Sequence, residues 1–280
     1  MYFQIDLVIP TLNSANTIEL TLINLSKLKA TGIKINIIII DSGSNDGTIE
    51  IIKKHRFKST YYPKGNMYAA INHGLRLGES HWCTYINSDD LFYPLEFANL
   101  LKTFYKENVD IVYGNIDYID EEGRFLHSWN SPPAKYLHAL FDSKIMPIPQ
   151  PGTIFTRKIF ENIGGFNERF KYSADLDFFL RAYKSKANFA KYKKGTIAAF
   201  RLHKSQITQE KKLDMERETK EIYKNVQKTT SVLFRNYARI KFRIRNILNY
   251  IIRITRWYLL YKTFAFPQTT TIINNMKNKK

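Results

Sequence analysis

The chain has 280 residues, 44% of them hydrophobic and 14% aromatic, enough for a folded core and too apolar for a disordered polymer. A single cysteine, Cys83, excludes an internal disulfide, and six scattered histidines give no zinc-ligand spacing. The formal charge of +18 is uneven: residues 231 to 280 hold eleven Lys or Arg and no Asp or Glu, so a mildly basic body carries a basic tail suited to a polyanionic surface, either membrane phospholipid or nucleic acid.

The opening MYFQIDLVIP has no positive n-region, apolar h-region or cleavage site. It reads as a first strand ending at Pro10, and residence in the cytoplasm is expected. A helix is expected from Asn16, because Asn16 and Glu19 have capping-box spacing and Ile18, Leu22, Leu25 and Leu28 share a face. INIIII, residues 35–40, is apolar on both faces, as buried parallel strands are. DSGSNDGT then turns the chain into a second helix near Thr48. Strand, helix, strand, helix is the grammar of a parallel α/β sheet.

The pattern continues with a helix from Tyr68 to Leu77, a strand from Trp82 to Ile86 with Cys83 buried in it, a helix after Pro94, and a strand from Val109 to Tyr113. Residues 115–129 read as a hairpin turning at DEEG. Prolines between Pro132 and Pro151 break all periodicity, which predicts a loop-rich border to a groove. GTIFT is a short strand. A helix from Arg157 stops at Gly164-Gly165, another runs from Asp175 to Lys186, and NFAKYKKGTIAAFRLH holds one or two strands.

In an open parallel sheet the loops at the carboxyl ends of the strands form the ligand crevice. Pro10-Thr11, Asp41 and the pair Asp89-Asp90 end three such strands. Adjacent carboxylates repel unless a proton or a cation relieves them. Mg²⁺ or Mn²⁺, bound through one or two carboxylates and substrate phosphates, would do so, and a solvated turn with a helix cap is the other reading of the spacing.

Five blocks, VIPTLNSANTIELTLINL, IIIIDSGSNDGTIEII, GNMYAAINHGL, YINSDDLFYP and GGFNERFKYSADLDFFLRA, stand in an order and approximate spacing that resemble family 2 of the glycosyltransferases, over residues 3 to 205. The similarity is to bacterial enzymes of surface-polysaccharide synthesis. It implies the A-type glycosyltransferase fold: a mainly parallel, Rossmann-like sheet with helices on both faces. Residues 1–208 would form the catalytic domain, with 1–115 as the nucleotide-sugar half and 116–208 as the acceptor half, and 209–280 a basic helical tail. The resemblance further implies that Pro10, Thr11 and Asn13 wrap the nucleotide, that Asp41 recognises the base, and that Asn72 and Gly74 lie near the diphosphate. Asp89 would lie near the ribose and Asp90 would bind Mn²⁺ or Mg²⁺. Asp175 would be the catalytic base, although Ala174 replaces the usual preceding acid and leaves Asp177 as the other candidate. Arg181 would hold loop carboxylates in place. FRLHKSQIT is similar to a segment that closes over the diphosphate in relatives, giving Arg201 to phosphate and His203 to phosphate or metal.

The reaction so implied is inverting transfer of one sugar from a nucleotide-diphosphate donor, a UDP-sugar by default, to a saccharide or lipid-linked acceptor. RITRW at residues 253–257 has Arg253 where the Gln of a processive synthase motif belongs, so a single transfer per encounter is expected. A sugar nucleotidyltransferase would carry a Gly-rich, basic signature after the first strand, where TLNSANT stands instead. A non-catalytic nucleic-acid binder lacks a recognised motif, and no nucleic acid is expected as partner. Residues 233–258 place Ile240, Ile244, Ile247, Ile251, Ile254 and Tyr258 on one face of a basic helix too charged to span a bilayer. With Trp257, Tyr258 and Tyr261 it suits an anionic interface. Peripheral attachment to the inner face of the plasma membrane is expected, packing on the catalytic domain being the other reading.

Overall fold

The computed structural model describes residues 3–203, 211–224 and 226–261. The first strands form as their sequence dictates. Strand β1 (Gln4–Thr11) is buried from Ile5 onward, and pairs parallel with both β2 (Lys34–Asp41) and β4 (Trp82–Tyr85). A short strand β3 (Ser59–Tyr61) extends the parallel run from β2. The connections are helices α1 (Ile18–Lys29), α2 (Thr48–Lys54) and α3 (Met67–Leu77).

Beyond β4 the sheet continues through β8 (Thr153–Thr156) and β6 (Ile111–Ile119) to β9 (Phe189–Arg201) and β5 (Leu91–Phe92), with β7 (Phe125–Trp129) paired to β6. The contacts of β8 with β4 and β6 are antiparallel, while β6 and β9 run parallel. Helices α4 (Pro94–Phe104), α5 (Leu137–Asp142), α6 (Arg157–Asn162), α7 (Ala174–Lys184), α8 (Lys212–Lys224) and α9 (Val232–Tyr261) complete the described chain.

Alternation along the strands builds a layer on each face. Leu7 and Ile9 join α1 and α4 through Leu22, Leu25 and Phe97. Val8 and Ile40 face the other way, onto α3, α6 and α7 through Ile71, Phe160 and Phe178. Gly74 permits that second contact: a Cβ there would come within 2.7 Å of Val8 Cγ1 and 3.0 Å of Ile40 Cγ1. The result is the expected α/β sandwich, parallel where β3, β2, β1 and β4 lie side by side.

Several expectations need correction. Helix α1 starts at Ile18 with Thr17 as N-cap and no side-chain cap; Glu19 instead meets Lys54 and His55 of α2, so the Asn16–Glu19 capping box does not form. The proline-rich stretch 132–151 is not all loop, since it holds α5 and short 3₁₀ turns. The division at 115/116 falls inside β6, so the two halves share one sheet. NFAKYKKGTIAAFRLH gives one long strand, and Cys83 is buried as expected, its thiol pushed up to about 12 by desolvation.

Candidate active site

Two loops meet at the ends of β1 and β2, where Thr11 stands opposite Asp41 in register. Asp41 accepts from the backbone N–H of Gly43 and Ser44 at 2.9 and 3.0 Å and from the Ser44 hydroxyl at 2.5 Å, so it shapes its own turn. Asn13 adopts a positive φ of 49°, takes the Asn45 N–H on its side chain at 3.0 Å, and donates its own N–H to Ser44. The two loops are therefore one braced unit. Pro10 is buried beneath it. The buried Thr11 hydroxyl has no hydrogen-bond partner among the described residues, which marks the floor of this crevice as chemically incomplete.

The Asp89-Asp90 pair follows β4, and its two members point to different surroundings. Asp90 is fully buried; it accepts the Arg201 backbone N–H at 2.9 Å and the Asn87 amide at 3.3 Å. Burial, and then repulsion from Asp89, push its carboxyl well above the usual range. Asp89 remains partly accessible and places Oδ2 2.7 Å from Nε2 of His203. The sequence reading gave the metal to Asp90 and His203. The structure turns Asp90 inward, and the carboxylate that actually meets His203 is Asp89. Beside them the buried Asn87 Oδ1 has no hydrogen-bond partner among the described residues.

Two more of the expected residues are buried and engaged elsewhere. Arg201, expected on phosphate, is 2% exposed and spends its guanidinium on the backbone carbonyls of Asp89, Asp120 and Glu121. It ties the Asp89 loop to the β6–β7 turn. Asn72, expected near the diphosphate, is buried and fully engaged with the loop after α6: it donates to Phe166 O and Glu168 Oε1 and accepts from Phe166 N. Gly165 in that loop has a φ of +73°, and a Cβ on it would press to 2.8 Å from Asn72 Oδ1. Residues 204–208 of the FRLHKSQIT segment lie outside the described residues.

Asp175 sits in the first turn of α7. Its Oδ1 accepts from Leu176 N at 2.8 Å and from the Tyr68 hydroxyl of α3 at 3.3 Å. Desolvation raises its carboxyl above the ordinary 3.8 against those hydrogen bonds. Asp177 is occupied differently, in an ion pair with Arg181 at 2.6 Å. Arg181 also donates to the carbonyls of Ile163 and Gly165, so it holds the glycine turn and Asp177, not Asp175.

Tyr68 and Tyr85, which the sequence reading passed over, join the two centres. Their rings meet edge to face at 6.4 Å, and burial pushes the Tyr85 hydroxyl well above its ordinary value, with Tyr68, Asp175 and Asp90 adding to the shift. No local pattern marks them, because each reads as an ordinary core aromatic in its own segment. Glu218 of α8 was missed for the same reason. It accepts the N–H groups of Lys171, Tyr172 and Ser173, the residues that lead into the turn carrying Asp175.

Comparisons with known proteins agree on the class. An uncharacterized glycosyltransferase of Rickettsia typhi is 25% identical over 213 residues, covering 73% of this chain and 65% of its own. A PGL/p-HBAD biosynthesis glycosyltransferase of Mycobacterium bovis is 24% identical over 70% of this chain and 75% of its own. The chain thus spans about two-thirds of the rickettsial relative, and less than half of some others. Among solved structures, TarS residues 1–349 of S. aureus in complex with UDP-GlcNAc superposes with a TM-score of 0.60 at 16% identity, over 98% of this chain and 80% of that one. The mannosyltransferase PcManGT of Pyrobaculum calidifontis, in complex with GDP-Man and Mn²⁺, gives 0.60 at 15% identity over 98% and 79%. These likenesses place the fold among A-type glycosyltransferases. The model of glycosyl transferase family 2 matches residues 6–164, more than half of the chain, and the chain belongs to that family.

Proposed function

We propose that this glycosyltransferase moves one sugar, with inversion, from a nucleotide-diphosphate donor to an acceptor hydroxyl, with Asp175 as base and with Asp89 and His203 holding a divalent ion. The observation that carries the reading is a chain of contacts at the end of β4: the Tyr68 hydroxyl donates to Asp175 at 3.3 Å, and the Tyr68 ring meets edge to face, at 6.4 Å, that of Tyr85, which ends the strand leading to Asp89 and Asp90. The metal motif and the candidate base thus share one end of the sheet, where crevices of open α/β sheets lie.

A carboxylate and an imidazole suit Mn²⁺, and the buried, unpartnered Asn87 Oδ1 beside them is the incompletely satisfied environment such an ion would complete. Among the described residues no three His, Cys, Asp or Glu side chains form a full cage, so Asp89 and His203 would supply two ligands and leave the rest to donor phosphates and water. When bound, such an ion neutralises charge developing on the departing diphosphate. Arg201 and Asp90 keep the Asp89 loop in place from beneath. The braced loops at Asn13 and Asp41 form the wall nearest the nucleotide, with the Thr11 hydroxyl free to bond it. Asp175 takes the proton of the acceptor hydroxyl as the new bond forms on the opposite face.

Residues 1–115 contribute the donor side and 116–208 the acceptor side. UDP-sugars are the first donors to test, supported by the UDP-GlcNAc complex of TarS, with GDP-mannose next, supported by the GDP-Man and Mn²⁺ complex of PcManGT. The biosynthetic role named for the mycobacterial relative supports a lipid-linked or saccharide acceptor in surface-glycan synthesis. A thermal-shift panel of nucleotide sugars with and without Mn²⁺ tests the reading, since a ligand that binds only the native state raises its melting temperature. One class of nucleotide sugar should stabilise the wild type in a Mn²⁺-dependent manner, and Asp89→Asn should lose that dependence. Stabilisation by no donor, or full Mn²⁺ dependence in Asp89→Asn, would reject it.

A further inference from the structure

Helix α9 packs on the body through the face that is poorer in large apolar residues. Ala238, Phe242 and Asn246 are buried there, against Leu140, Trp129 and Tyr136. Asn246 exchanges two hydrogen bonds with the backbone of Asn130, accepting at 2.9 Å and donating at 3.1 Å. At 3.6 residues per turn these positions share one side of the helix. Leu233, Ile240, Ile244, Ile247, Leu248 and Ile251 fall on the opposite side, each about half exposed or more, with Leu233 at 82% and Leu248 at 68%.

An aliphatic stripe of that length turned away from the protein marks a surface for a partner. Charge identifies the partner. Residues 232 to 261 carry seven Lys or Arg and no Asp or Glu, and Lys241 and Arg243 stand on the two borders of the stripe. Apolar residues between flanking cations fit the headgroup and acyl boundary of an anionic bilayer. A second copy of the same helix would instead bring Lys241 and Arg243 against their like. Among the described residues no helix is long and apolar enough to cross a membrane, so the face would lie in the interface and not span it.

We propose that the outward face of α9 docks on an anionic membrane surface. The helix ends close to the candidate site: Leu260 packs with Leu126 and Leu202, and Leu202 precedes His203. Docking would therefore hold the proposed ion site near the lipid headgroups, where a lipid-linked acceptor is met. The docking itself is independent of the sugar-transfer reading.

The test is co-sedimentation of the full chain with vesicles of phosphatidylcholine alone or mixed with phosphatidylglycerol. Two variants accompany it: Ile240→Ser, Ile244→Ser, Ile247→Ser and Ile251→Ser combined, and Lys241→Gln with Arg243→Gln. All these positions are solvent-exposed, so the melting temperature should not fall. The wild type should bind the anionic vesicles and bind phosphatidylcholine weakly. The serine variant should lose more than about ten-fold in affinity, and the glutamine variant should lose selectivity for phosphatidylglycerol. Unchanged binding by the serine variant would overturn the proposal. So would a wild type that binds no vesicle and forms a dimer that the serine variant abolishes, which would give the face to a second copy. Binding no vesicle as a monomer would overturn it equally.

Discussion

Asp175 is the residue at which burial and chemistry make separable demands. Desolvation raises its carboxyl above 3.8 in the folded state, so the folded chain holds this proton more tightly than the unfolded one. Stability contributed by the protonated form is complete below pH 3.8 and is lost as pH rises through the raised value. Asp175→Asn carries no such loss. At pH 7 the variant should melt no lower than the wild type, and at pH 4 its relative advantage should shrink, as parallel thermal melts at the two pH values would show. Turnover behaves oppositely, because a base must be ionised. The variant should lose about two to four powers of ten in kcat with donor affinity unchanged. The acid limb of the wild-type pH–rate profile should lie above the ordinary carboxylate range. A residue required only for folding would not separate melting temperature from kcat in this way. The position of Asp175 was legible because its block fixes its place before an amphipathic helix. The partners of Asn72 and Arg201 were not legible, because a polar side chain in a motif shows its chemistry in sequence but not what it bonds. Both are consumed by backbone groups 80 or more residues away or close to it, such as Phe166 for Asn72 and Glu121 for Arg201.

At the level of elements, the turn into α7 is held from outside its own sequence. Ser173 stands at its N-cap without a side-chain bond to the helix, and the Glu218 carboxylate of α8 collects the three preceding N–H groups instead. Carboxylates bonded to backbone N–H near a helix start are favoured by charge and dipole together. Glu218→Ala should therefore cost about 1–3 kcal/mol, the range of hydrogen bonds to a charged group, and lower kcat more than donor affinity, with Glu218→Gln recovering part of both. Equal melting temperatures and kinetics for Glu218→Ala and wild type would show that the contact is idle. The α3 contact gives a second test: Gly74→Ala places a methyl group against Val8 and Ile40 and should cost about 1–3 kcal/mol by overpacking, read from denaturant unfolding. The βαβ elements were legible because their burial pattern is local. Strand β3 was not, since its three exposed residues become a strand only by pairing with β2. Strand β5 has two residues and exists through β9. Helix α5 was hidden by the prolines that bracket it.

Across the whole molecule, the basic tail is part of the folded body as well as a candidate docking element. The sequence leaves packing on the catalytic domain and membrane attachment as two uses of the helix that can hold at once. The structure gives packing to the side with fewer large apolar residues and leaves the isoleucine stripe exposed. Periodicity could find the isoleucine stripe but could not tell whether it faced protein or solvent, because Asn246 and Ala238 carry no signal of burial by themselves. The consequence bears on truncation. Ending the chain before Val232 would remove Phe242 from its edge-to-face contact with Trp129 at 5.3 Å, uncover Leu140, and leave the Asn130 backbone without its Asn246 partner. Loss of one aromatic side chain from a packed site together with two hydrogen bonds is worth about 3–5 kcal/mol. At about 2–4 °C per kcal/mol for a domain of this size, the truncated chain should melt roughly 6–20 °C lower. It should also lose vesicle binding, whereas the serine variant of the outward face should lose vesicle binding alone. Thermal melts of the two beside the wild type check this. If the truncated chain melts with the wild type, α9 is not part of the folded body, and the outward orientation of its isoleucines loses its basis.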